Sequence, residues 1–580
     1  MKKLIVLFSC LLIFFATTAN AEVKNPDTFV LATEKTITTL DPALAYDSAS
    51  SSKVRVMYEG LITFDGPHTD KYVPVVATEV PTLENGGISK DGRTYTFTIR
   101  KGIKFHKGGE LTAEDVEYSF KRNMISDPPT SPIWMLLSAL TGKSHTRTKA
   151  GKVEPGIFKA IDKSIERKGD KIIFHLPKAF PPFMGILTYS SCSVVDKEWA
   201  IKQGCWDGNI ANALKYNHPS TEKMPLHDKV NGTGPYMLKS WVPSGEIVFE
   251  RFDGYWGPKP KLKTAVVKYV PEWSTRKLML QNGDADRVVV SPSFLKEVEA
   301  MKDVTVYKNP ILRYTGVAMV QKINAVGNPY IGSGKLDGKG IPLDFFNDID
   351  IRKAFSYAFD HDTFIKEVIF NLGTVPATVH LKGLPYYKEG TPRYTYDMEK
   401  ARAHMKKAWG GKVWEKGFEV TFLAPAGRAD REASMLMLKE SIESLNPKFK
   451  IKIAAMPWKD YLAGHKVSKF PVYSTGWGAD YPDPHNFIFV FFHSKGNNAR
   501  RRGYSNPEAD KLIDIAIGSV DPKVRGDAYE RLMHLWYQEA PLLVISQQVE
   551  LWAYRSWVKG FVANPMFGQA MEFFHRLSKQ

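Results

Sequence analysis

Apolar residues recur along the chain with two different periods, which predict strands and helices in alternation. Residues 94–99 alternate polar and apolar side chains after an Asp-Gly turn, as in a strand with one buried face. One helical face collects Ile351, Ala354, Phe355, Ala358 and Phe359. Similar patterns predict helices at 398–409 and 433–445 and strands at 265–269, 418–422 and 450–454. This alternation from end to end favours an α/β fold.

The limits of these elements are marked by capping residues and by two long aperiodic stretches. Residues 111–116 are predicted to begin a helix, because Thr112 can cap it and Asp115 occupies the capping-box position. Residues 126–156 are rich in Pro, Lys and Thr, and residues 324–342 are rich in Gly. We expect both stretches to be insertions or surface loops.

The first 21 residues have the organisation of a secretory signal peptide. Two lysines follow Met1, the run 4–16 is apolar, and Ala19-Asn20-Ala21 has the small-x-small pattern of a cleavage site. The run is too short to span a bilayer comfortably, and no later stretch reaches the roughly 18–20 apolar residues required. Cys10 lies in mid-run, which argues against lipid attachment. We expect cleavage after Ala21 and a free protein in a bacterial periplasm.

Two cysteines, Cys192 and Cys205, would remain in the mature chain. In an oxidising compartment this pair suggests one disulfide, which would stabilise the protein by roughly 3 kcal/mol on the chain-entropy argument. Two buried thiols are the alternative. The pair makes a poor zinc site because no His lies between the two cysteines. We therefore predict no metal site.

Length, charge and missing motifs bound the class of protein. A chain of 580 residues exceeds what one core usually supports, so two or three domains are expected. The net charge is +17, but Lys and Arg are spread along the chain, and export argues against a nucleic-acid partner. The chain has neither the H-E-x-x-H motif of zinc proteases nor a G-x-S-x-G nucleophile elbow. We predict no enzymatic activity and no cofactor, so a secreted hydrolase is disfavoured.

The segment 476–484 carries the clearest candidate chemistry. It places the carboxylate of Asp480 between two aromatic residues, one of them Trp477, on a backbone punctuated by Gly and Pro. Gly476 and Gly478 have no Cβ, so the main chain there can approach another molecule closely. A carboxylate beside aromatic rings suits a cationic ligand group such as an amine. The alternative is an ordinary surface turn after a strand.

Five groups of segments together resemble one protein family, and their order along the chain matches the order in that family. They are Thr39–Pro42 with Tyr58–Leu61, Asp91–Val116, Gly232–Tyr236 with Tyr255–Gly257, Leu280–Asp286 with Ile351–Ala358, and Gly476–Pro484 with Asn506–Asp510. The combination resembles the extracellular solute-binding proteins, family 5, of ABC importers that carry dipeptides, oligopeptides or nickel. The resemblance covers nearly the whole mature chain.

This resemblance implies a periplasmic binding protein of type II, with two hinged clamping lobes and an extra lobe near the N-terminus. The first clamping lobe would comprise 22–60, 196–300 and 545–580, the extra lobe 61–195, and the second clamping lobe 301–544. A ligand that contacts both clamping lobes shifts the population toward the closed state. The protein, expected to act as a monomer, would then dock on an inner-membrane ABC permease.

The resemblance also implies roles for residues at one end of the ligand. Asp480 would pair with the α-ammonium group of a peptide, while Gly476, Trp477 and Gly478 would line the ligand and offer backbone hydrogen bonds. Tyr46 lies in a first-lobe segment that matches a ligand-contacting loop. A simple turn is an equally good interpretation of that segment.

The other end of the ligand is less well defined by the resemblance. Arg428 matches loosely the place where dipeptide binders put an arginine for the peptide carboxylate, and Arg431 is a rival. Asp480 favours an amine-bearing ligand, so a peptide is the expected solute. The alternative is the same fold binding an opine, an oligosaccharide or a nickel chelate. A chaperone-like interaction protein is a further alternative from another class.

Overall fold

The computed structural model describes residues 23–569 and 571–580, so the predicted signal peptide and Cys10 lie outside the described residues. The strands are β1 (Thr28–Thr33), β2 (Ile62–Phe64), β3 (Tyr72–Pro74), β4 (Thr94–Thr98), β5 (Ile165–Lys168), β6 (Lys171–His175), β7 (Tyr236–Trp241), β8 (Glu246–Arg251), β9 (Thr264–Tyr269), β10 (Arg287–Val288), β11 (Val304–Met319), β12 (Gly373–Thr374), β13 (Phe418–Pro425), β14 (Phe449–Met456), β15 (Val472–Gly478), β16 (Leu543–Arg555), β17 (Val558–Lys559) and β18 (Ser578–Lys579).

The α-helices alternate with these strands along most of the chain. They are α1 (Ser48–Met57), α2 (Ala113–Ser126), α3 (Trp134–Thr141), α4 (Ile157–Lys163), α5 (Phe183–Ile186), α6 (Lys197–Lys202), α7 (Trp273–Asn282), α8 (Leu295–Glu299), α9 (Ile349–Tyr357), α10 (His361–Thr363), α11 (Met398–Lys407), α12 (Lys412–Lys416), α13 (Ala429–Leu445), α14 (Trp458–Lys466), α15 (His485–Phe492), α16 (Asn497–Arg502), α17 (Pro507–Gly518) and α18 (Pro522–Glu539). Within the described part of the chain, none of them has the length and apolar character that a bilayer span needs.

The elements predicted from periodicity are present, and the α/β prediction is confirmed. The predicted strands correspond to β4, β9, β13 and β14, and the predicted helices to α9, α11 and α13. The helix predicted to begin at 111–116 is α2, where the backbone N–H of Thr112 donates to the Asp115 carboxylate at 2.9 Å. This is the reciprocal half of a capping box, with Asp in place of the usual Glu.

One large sheet runs through the molecule in the order β14-β13-β15-β11-β16-β10-β1-β9-β8-β7, with β12 paired to β16. At one end β13 is parallel to β14 and β15, and at the other end β1 is parallel to β9 and β10. The long strands β11 and β16 are antiparallel and connect these two groups, since β11 pairs with β15 and β16 pairs with β10. The predicted lobe boundaries at 300/301 and 544/545 fall near the start of β11 and of β16. The division into lobes itself stays a prediction.

Buried apolar side chains are distributed between two large clusters and a small one. The first large cluster draws on residues 29–289 and on the C-terminal residues 552–577, together with Ile311 and Tyr481. The second draws on residues 312–545. The chain therefore leaves the first core along β11 and returns to it along β16.

The stretch 126–156 differs from the loop that its composition predicts. α3 lies inside it and buries Met135, Leu136 and Leu140, among other side chains. A short apolar run can be buried as a helix even when Pro, Lys and Thr dominate the surrounding residues. The surface-loop prediction is therefore wrong for the centre of this stretch. Residues 324–342 contain no helix or strand, as predicted.

A buried ion pair ties the N-terminal segment to α2. The Arg122 guanidinium donates from Nη1 to Asp41 Oδ1 at 2.7 Å and from Nη2 to Asp41 Oδ2 at 2.5 Å. Both side chains are shielded from solvent, with 2% and 0% of their surface exposed. Each charge therefore depends on the other for compensation, because water cannot reach either one.

The structure contradicts the predicted disulfide, because Cys192 and Cys205 are both free and buried. The Cys192 thiol donates to the carbonyl oxygen of Ile186 at 3.3 Å, and Cys205 Sγ accepts from the Arg122 guanidinium at 3.6 Å. Burial raises the pKa of the Cys192 thiol to about 12, which keeps it protonated and unreactive. The disulfide prediction is wrong, since the fold gives each sulfur a separate partner.

We expect Asp41→Asn to lower the free energy of unfolding by about 3–5 kcal/mol, because it leaves the Arg122 guanidinium buried without a counter-charge. Urea denaturation at pH 7 measures the change. The control is Asp253→Asn, which removes a carboxylate whose side chain is 69% exposed. That control should change the free energy by less than about 1 kcal/mol. Equal effects of the two substitutions would contradict the role assigned to the ion pair.

We expect iodoacetamide, added in denaturant without a reductant, to label both Cys192 and Cys205. The same reagent should leave both residues unlabelled in the folded protein, because burial shields the thiols. Mass spectrometry of tryptic peptides reads the labelling of each cysteine separately. Recovery of a peptide pair joined through the two sulfurs would show that the disulfide forms after all.

Candidate ligand-binding cleft

A cavity of about 340 Å³ lies beside β11 and β16, the two strands that connect the halves of the sheet. This cavity is the candidate ligand site. Its wall brings together residues from the N-terminal segment and α1, from β11 and β16, and from the segment that follows β15. Charged and polar side chains in this wall include Tyr46, Arg55, Arg313, Asp480 and Glu550. Both signs of charge are present, which suits a ligand that carries both.

The cleft opens where the pairing of β11 with β16 is irregular, at residues 311–313. The backbone groups released by this irregularity find other partners. The N–H of Leu312 donates to the carbonyl oxygen of Pro565, and its carbonyl oxygen accepts from the N–H of Ala479, both at 2.8 Å. The irregularity therefore brings the C-terminal segment and the segment after β15 to the same wall of the cleft.

Asp480 lies in this wall and makes hydrogen bonds without a counter-charge. The Tyr46 hydroxyl donates to Asp480 Oδ1 at 2.8 Å, and the backbone N–H of Asp480 donates to Asn486 Oδ1 at 3.1 Å. Burial raises the pKa of Asp480 to about 6, although the hydrogen bonds from Tyr46 and Asn486 favour the charged form. Within 23–569 and 571–580, no Lys, Arg or His side chain pairs with this carboxylate.

Tyr46 is held in place by two other aromatic residues. Trp134 Nε1 donates to the Tyr46 hydroxyl, and the Tyr189 hydroxyl donates to the Tyr46 carbonyl oxygen, each at 3.3 Å. The rings of Tyr46 and Tyr189 meet edge to face with centroids 6.2 Å apart. Trp134 is the first residue of α3, so the stretch 126–156 helps to position a predicted site residue.

Gly476 and Gly478 lie in β15 rather than in a loop, and both face neighbours within the same sheet. A Cβ on Gly476 would come within 2.7 Å of the Tyr314 carbonyl oxygen. A Cβ on Gly478 would come within 3.2 Å of Arg313 Nε. Gly478 lines the cleft, and Gly476 is not among the lining residues. The missing Cβ atoms thus admit neighbouring groups of this chain, and direct contact with ligand stays a prediction.

Trp477 lies beside Asp480 through a shared partner, Asn486. The indole Nε1 donates to Asn486 Oδ1 at 3.0 Å, and the indole packs against Phe491 with ring centroids 5.9 Å apart. The same amide oxygen accepts the backbone N–H of Asp480. Asn486 therefore orients both residues, although Trp477 itself is not among the lining residues.

The two arginines predicted for the ligand carboxylate lie at the start of α13. Arg428 is exposed, donates to Asp430 at 3.3 Å and does not line the cleft. Arg431 lies against Gly476, and its Nε is buried without a hydrogen-bond partner in the described part of the molecule. Burial lowers the pKa of Arg431. The structure thus places Arg431 closer to β15, and a carboxylate role for either arginine stays a prediction.

Four residues at or beside the cleft were not predicted from the sequence. They are Arg55, Arg313, Asn486 and Glu550. Arg313 meets Gly478 because β11 pairs with β15. Glu550 lies in β16, and it lines the cleft because β16 pairs with β11. No spacing along the chain signals the positions of Arg313 and Glu550, since each depends on strands that are distant in sequence, whereas Asn486 lies only six residues from Asp480.

The chain matches the family of bacterial extracellular solute-binding proteins, family 5 Middle, over residues 71–499. It belongs to this family. As a family 5 member the protein is a solute-binding protein and not an enzyme. This confirms the family predicted from the five groups of segments.

Relatives and solved structures of family 5 cover nearly the full chain. The protein is 27% identical to the dipeptide-binding protein of Escherichia coli K12 over 525 residues, which are 87% of this chain and 88% of that protein. It is 26% identical to heme-binding protein A of Haemophilus influenzae over 570 residues, 95% and 92% of the two chains. The structure of Helicobacter pylori DppA with the peptide STSA superposes with a TM-score of 0.69 at 23% identity, covering 95% and 98%. The binding-protein fold is therefore confirmed.

Burial raises the pKa of Asp480 from its ordinary 3.8 to about 6, so the ionised carboxylate destabilises the ligand-free folded protein. This contribution is absent below pH 4 and develops as the pH rises to about 6. We expect Asp480→Asn to gain stability over the wild type by up to about 3 kcal/mol between pH 4 and pH 7. Urea denaturation of ligand-free protein at several pH values measures the difference.

The control is Asp527→Asn, which removes a carboxylate whose side chain is 62% exposed. Its difference from the wild type should stay nearly constant over the same pH range. If the difference between wild type and Asp480→Asn also stays constant, the raised pKa of Asp480 is refuted.

Proposed function

We propose that this family 5 protein is the peptide-binding component of an ABC importer. It would be exported through a leader cleaved after Ala21, act as a monomer in a bacterial periplasm, and deliver peptide to an inner-membrane permease. The observation that carries the proposal is the half-buried carboxylate of Asp480, which lies in the cleft without a counter-charge. The dipeptide-binding relative, similar over 87% of this chain, supports the same ligand class.

A peptide α-ammonium group would supply the charge that Asp480 lacks. The Asp480 carboxylate is ionised at neutral pH, because its pKa of about 6 lies below 7. Charge-assisted hydrogen bonds between an ammonium and a carboxylate are shorter and stronger than neutral ones. The Tyr46 hydroxyl already fixes one carboxylate oxygen, so the ammonium would meet a pre-oriented partner.

The backbone beside Asp480 suits an extended peptide. β13 pairs with β15 only at Val472 and Tyr473, so the described strands leave residues 476–478 unpaired on that side. In an antiparallel ladder every second residue directs its peptide groups away from the paired strand. A peptide lying along β15 could accept and donate hydrogen bonds there, as in strand addition.

The Tyr46–Asp480 hydrogen bond joins the two sides of the cleft. Tyr46 precedes α1, whose buried residues belong to the first large core cluster, and Asp480 follows β15, whose buried residues belong to the second. A ligand that contacts both sides binds more tightly to the closed state and raises its population. Closure would then present both lobes together to the permease.

A non-peptide solute is the second candidate, because the heme-binding relative is 26% identical over 95% of this chain. Haem carries carboxylates and no ammonium group. It would leave the carboxylate of Asp480 without compensation, which favours a peptide over haem in this cleft.

We expect tri-alanine to bind the wild type at pH 7 and to bind Asp480→Asn at least about tenfold more weakly, because the ion pair with the ammonium is lost. Lowering the pH from 7 to 5 should weaken wild-type binding about tenfold, since Asp480 becomes protonated with a pKa of about 6. Isothermal titration calorimetry measures both changes.

Two further titrations make this test specific. N-acetylated tri-alanine has no ammonium group and should bind the wild type and Asp480→Asn equally weakly. The control variant Asp527→Asn should bind tri-alanine as the wild type does. Binding of haem but of no di- to pentapeptide by the wild type would reject the peptide function.

A further inference from the structure

Arg55 lines two cavities of the protein, the ligand cleft and a second cavity next to it. It lies in the last turn of α1 and lines the ligand cleft together with Asp480. It also lines a second cavity of about 220 Å³, whose wall includes Glu59, Thr188 and Trp256. The guanidinium can therefore be reached from the space in which the peptide is proposed to bind.

The contacts of Arg55 hold its guanidinium without neutralising it. Nη1 donates to the carbonyl oxygen of Thr188, and the guanidinium carbon lies 5.7 Å from the ring centroid of Tyr189 and 5.2 Å from that of Phe567. Its Nε is buried with no hydrogen-bond partner in the part of the chain that the structure describes. No Asp or Glu of that part forms an ion pair with it.

Four other buried arginines of this protein are compensated in one of two ways. Arg122, Arg287 and Arg525 each form an ion pair with a buried carboxylate. Arg352 donates to the carbonyl oxygens of four residues, Phe346, Asn347, Glu539 and Ala540. Arg55 forms no ion pair in the described part of the chain and donates to one carbonyl oxygen, that of Thr188.

The second arginine of the cleft, Arg313, is in a different position. Its side chain is 51% exposed and lies 3.9 Å from Glu550. Water and a carboxylate therefore share the solvation of its charge. Of the two arginines of the cleft, Arg55 therefore has more to gain from an incoming anion.

Burial of this charge is costly unless an anion joins it. Burial lowers the pKa of Arg55 to about 10, so the guanidinium is still charged at neutral pH. A buried charge without a partner destabilises the protein that carries it. The rings of Tyr189 and Phe567 lie beside the guanidinium, and Arg55 lines the cleft.

We propose that Arg55 binds a carboxylate of the peptide, and so selects ligands that carry an anionic group as well as the ammonium at Asp480. This inference rests on the proposed peptide function. The guanidinium would form a charge-assisted pair with the carboxylate, in a setting where few water molecules compete. The carboxylate could be the C-terminus of the peptide or an acidic side chain, and both are the same chemistry.

Calorimetry with matched peptides tests the proposal and identifies the source of the carboxylate. The probes are Ala-Ala-Ala, its C-terminal amide, Ala-Glu-Ala amide and Ala-Gln-Ala amide, each titrated into the wild type and Arg55→Met. A C-terminal contact predicts that the wild type prefers the free acid over the amide by at least about tenfold. A side-chain contact predicts the same preference for the Glu peptide over the Gln peptide. In Arg55→Met the preference should vanish.

Two variants control for charge and for folding. Arg531→Met removes an exposed arginine, whose side chain is 66% exposed, and should keep the wild-type preference. Arg55→Lys keeps the positive charge and should retain part of the preference. The thermal midpoint of ligand-free Arg55→Met should equal or exceed that of the wild type, because an uncompensated buried charge has been removed.

Three outcomes would overturn the proposal, and they can be told apart. If Arg55→Met keeps the wild-type preference, Arg55 does not meet the carboxylate. If the variant unfolds at a lower temperature and its affinity for all the peptides falls by the same factor, Arg55 is a structural residue. If the wild type binds none of the peptides, the peptide function itself fails and this inference fails with it.

Discussion

The antiparallel pairing of β11 with β16 is the constraint on which the rest of the structure depends. Both strands run from one parallel group of the sheet to the other, and the two large core clusters lie on either side of them. Their pairing is regular over residues 304–310 and irregular at 311–313, where the cleft opens. Two strands that bend together can let the flanking cores move as rigid bodies, which is what hinge closure requires.

The distribution of buried charge separates the scaffold from the cleft. Arg122 with Asp41 and Arg525 with Asp483 are buried ion pairs in which each partner compensates the other. In the cleft, the charge of Asp480 is met only by hydrogen bonds. A protein tolerates a destabilising charge where a ligand restores the balance, so such a charge is a sign of a binding site.

The sequence predicted local structure wherever a clear period extended over enough residues. It did not predict α3, because eight apolar-rich residues are too few to show a period against a polar background. The sequence also gave no means of deciding whether Cys192 and Cys205 form a disulfide or remain free thiols. A disulfide requires two sulfurs to meet with a specific geometry, and the spacing of two cysteines along the chain does not determine that.

The sequence by itself determined the α/β class, the family and the segment that contains Asp480, because these depend on local periods and contiguous motifs. Only the tertiary structure decided which groups surround that carboxylate. Tyr46, its hydrogen-bond partner, is 434 positions away along the chain. The tertiary structure also showed that Arg55 faces the cleft without a carboxylate. Whether a buried charge is compensated depends on groups from distant segments, and those groups are brought together by strand pairing.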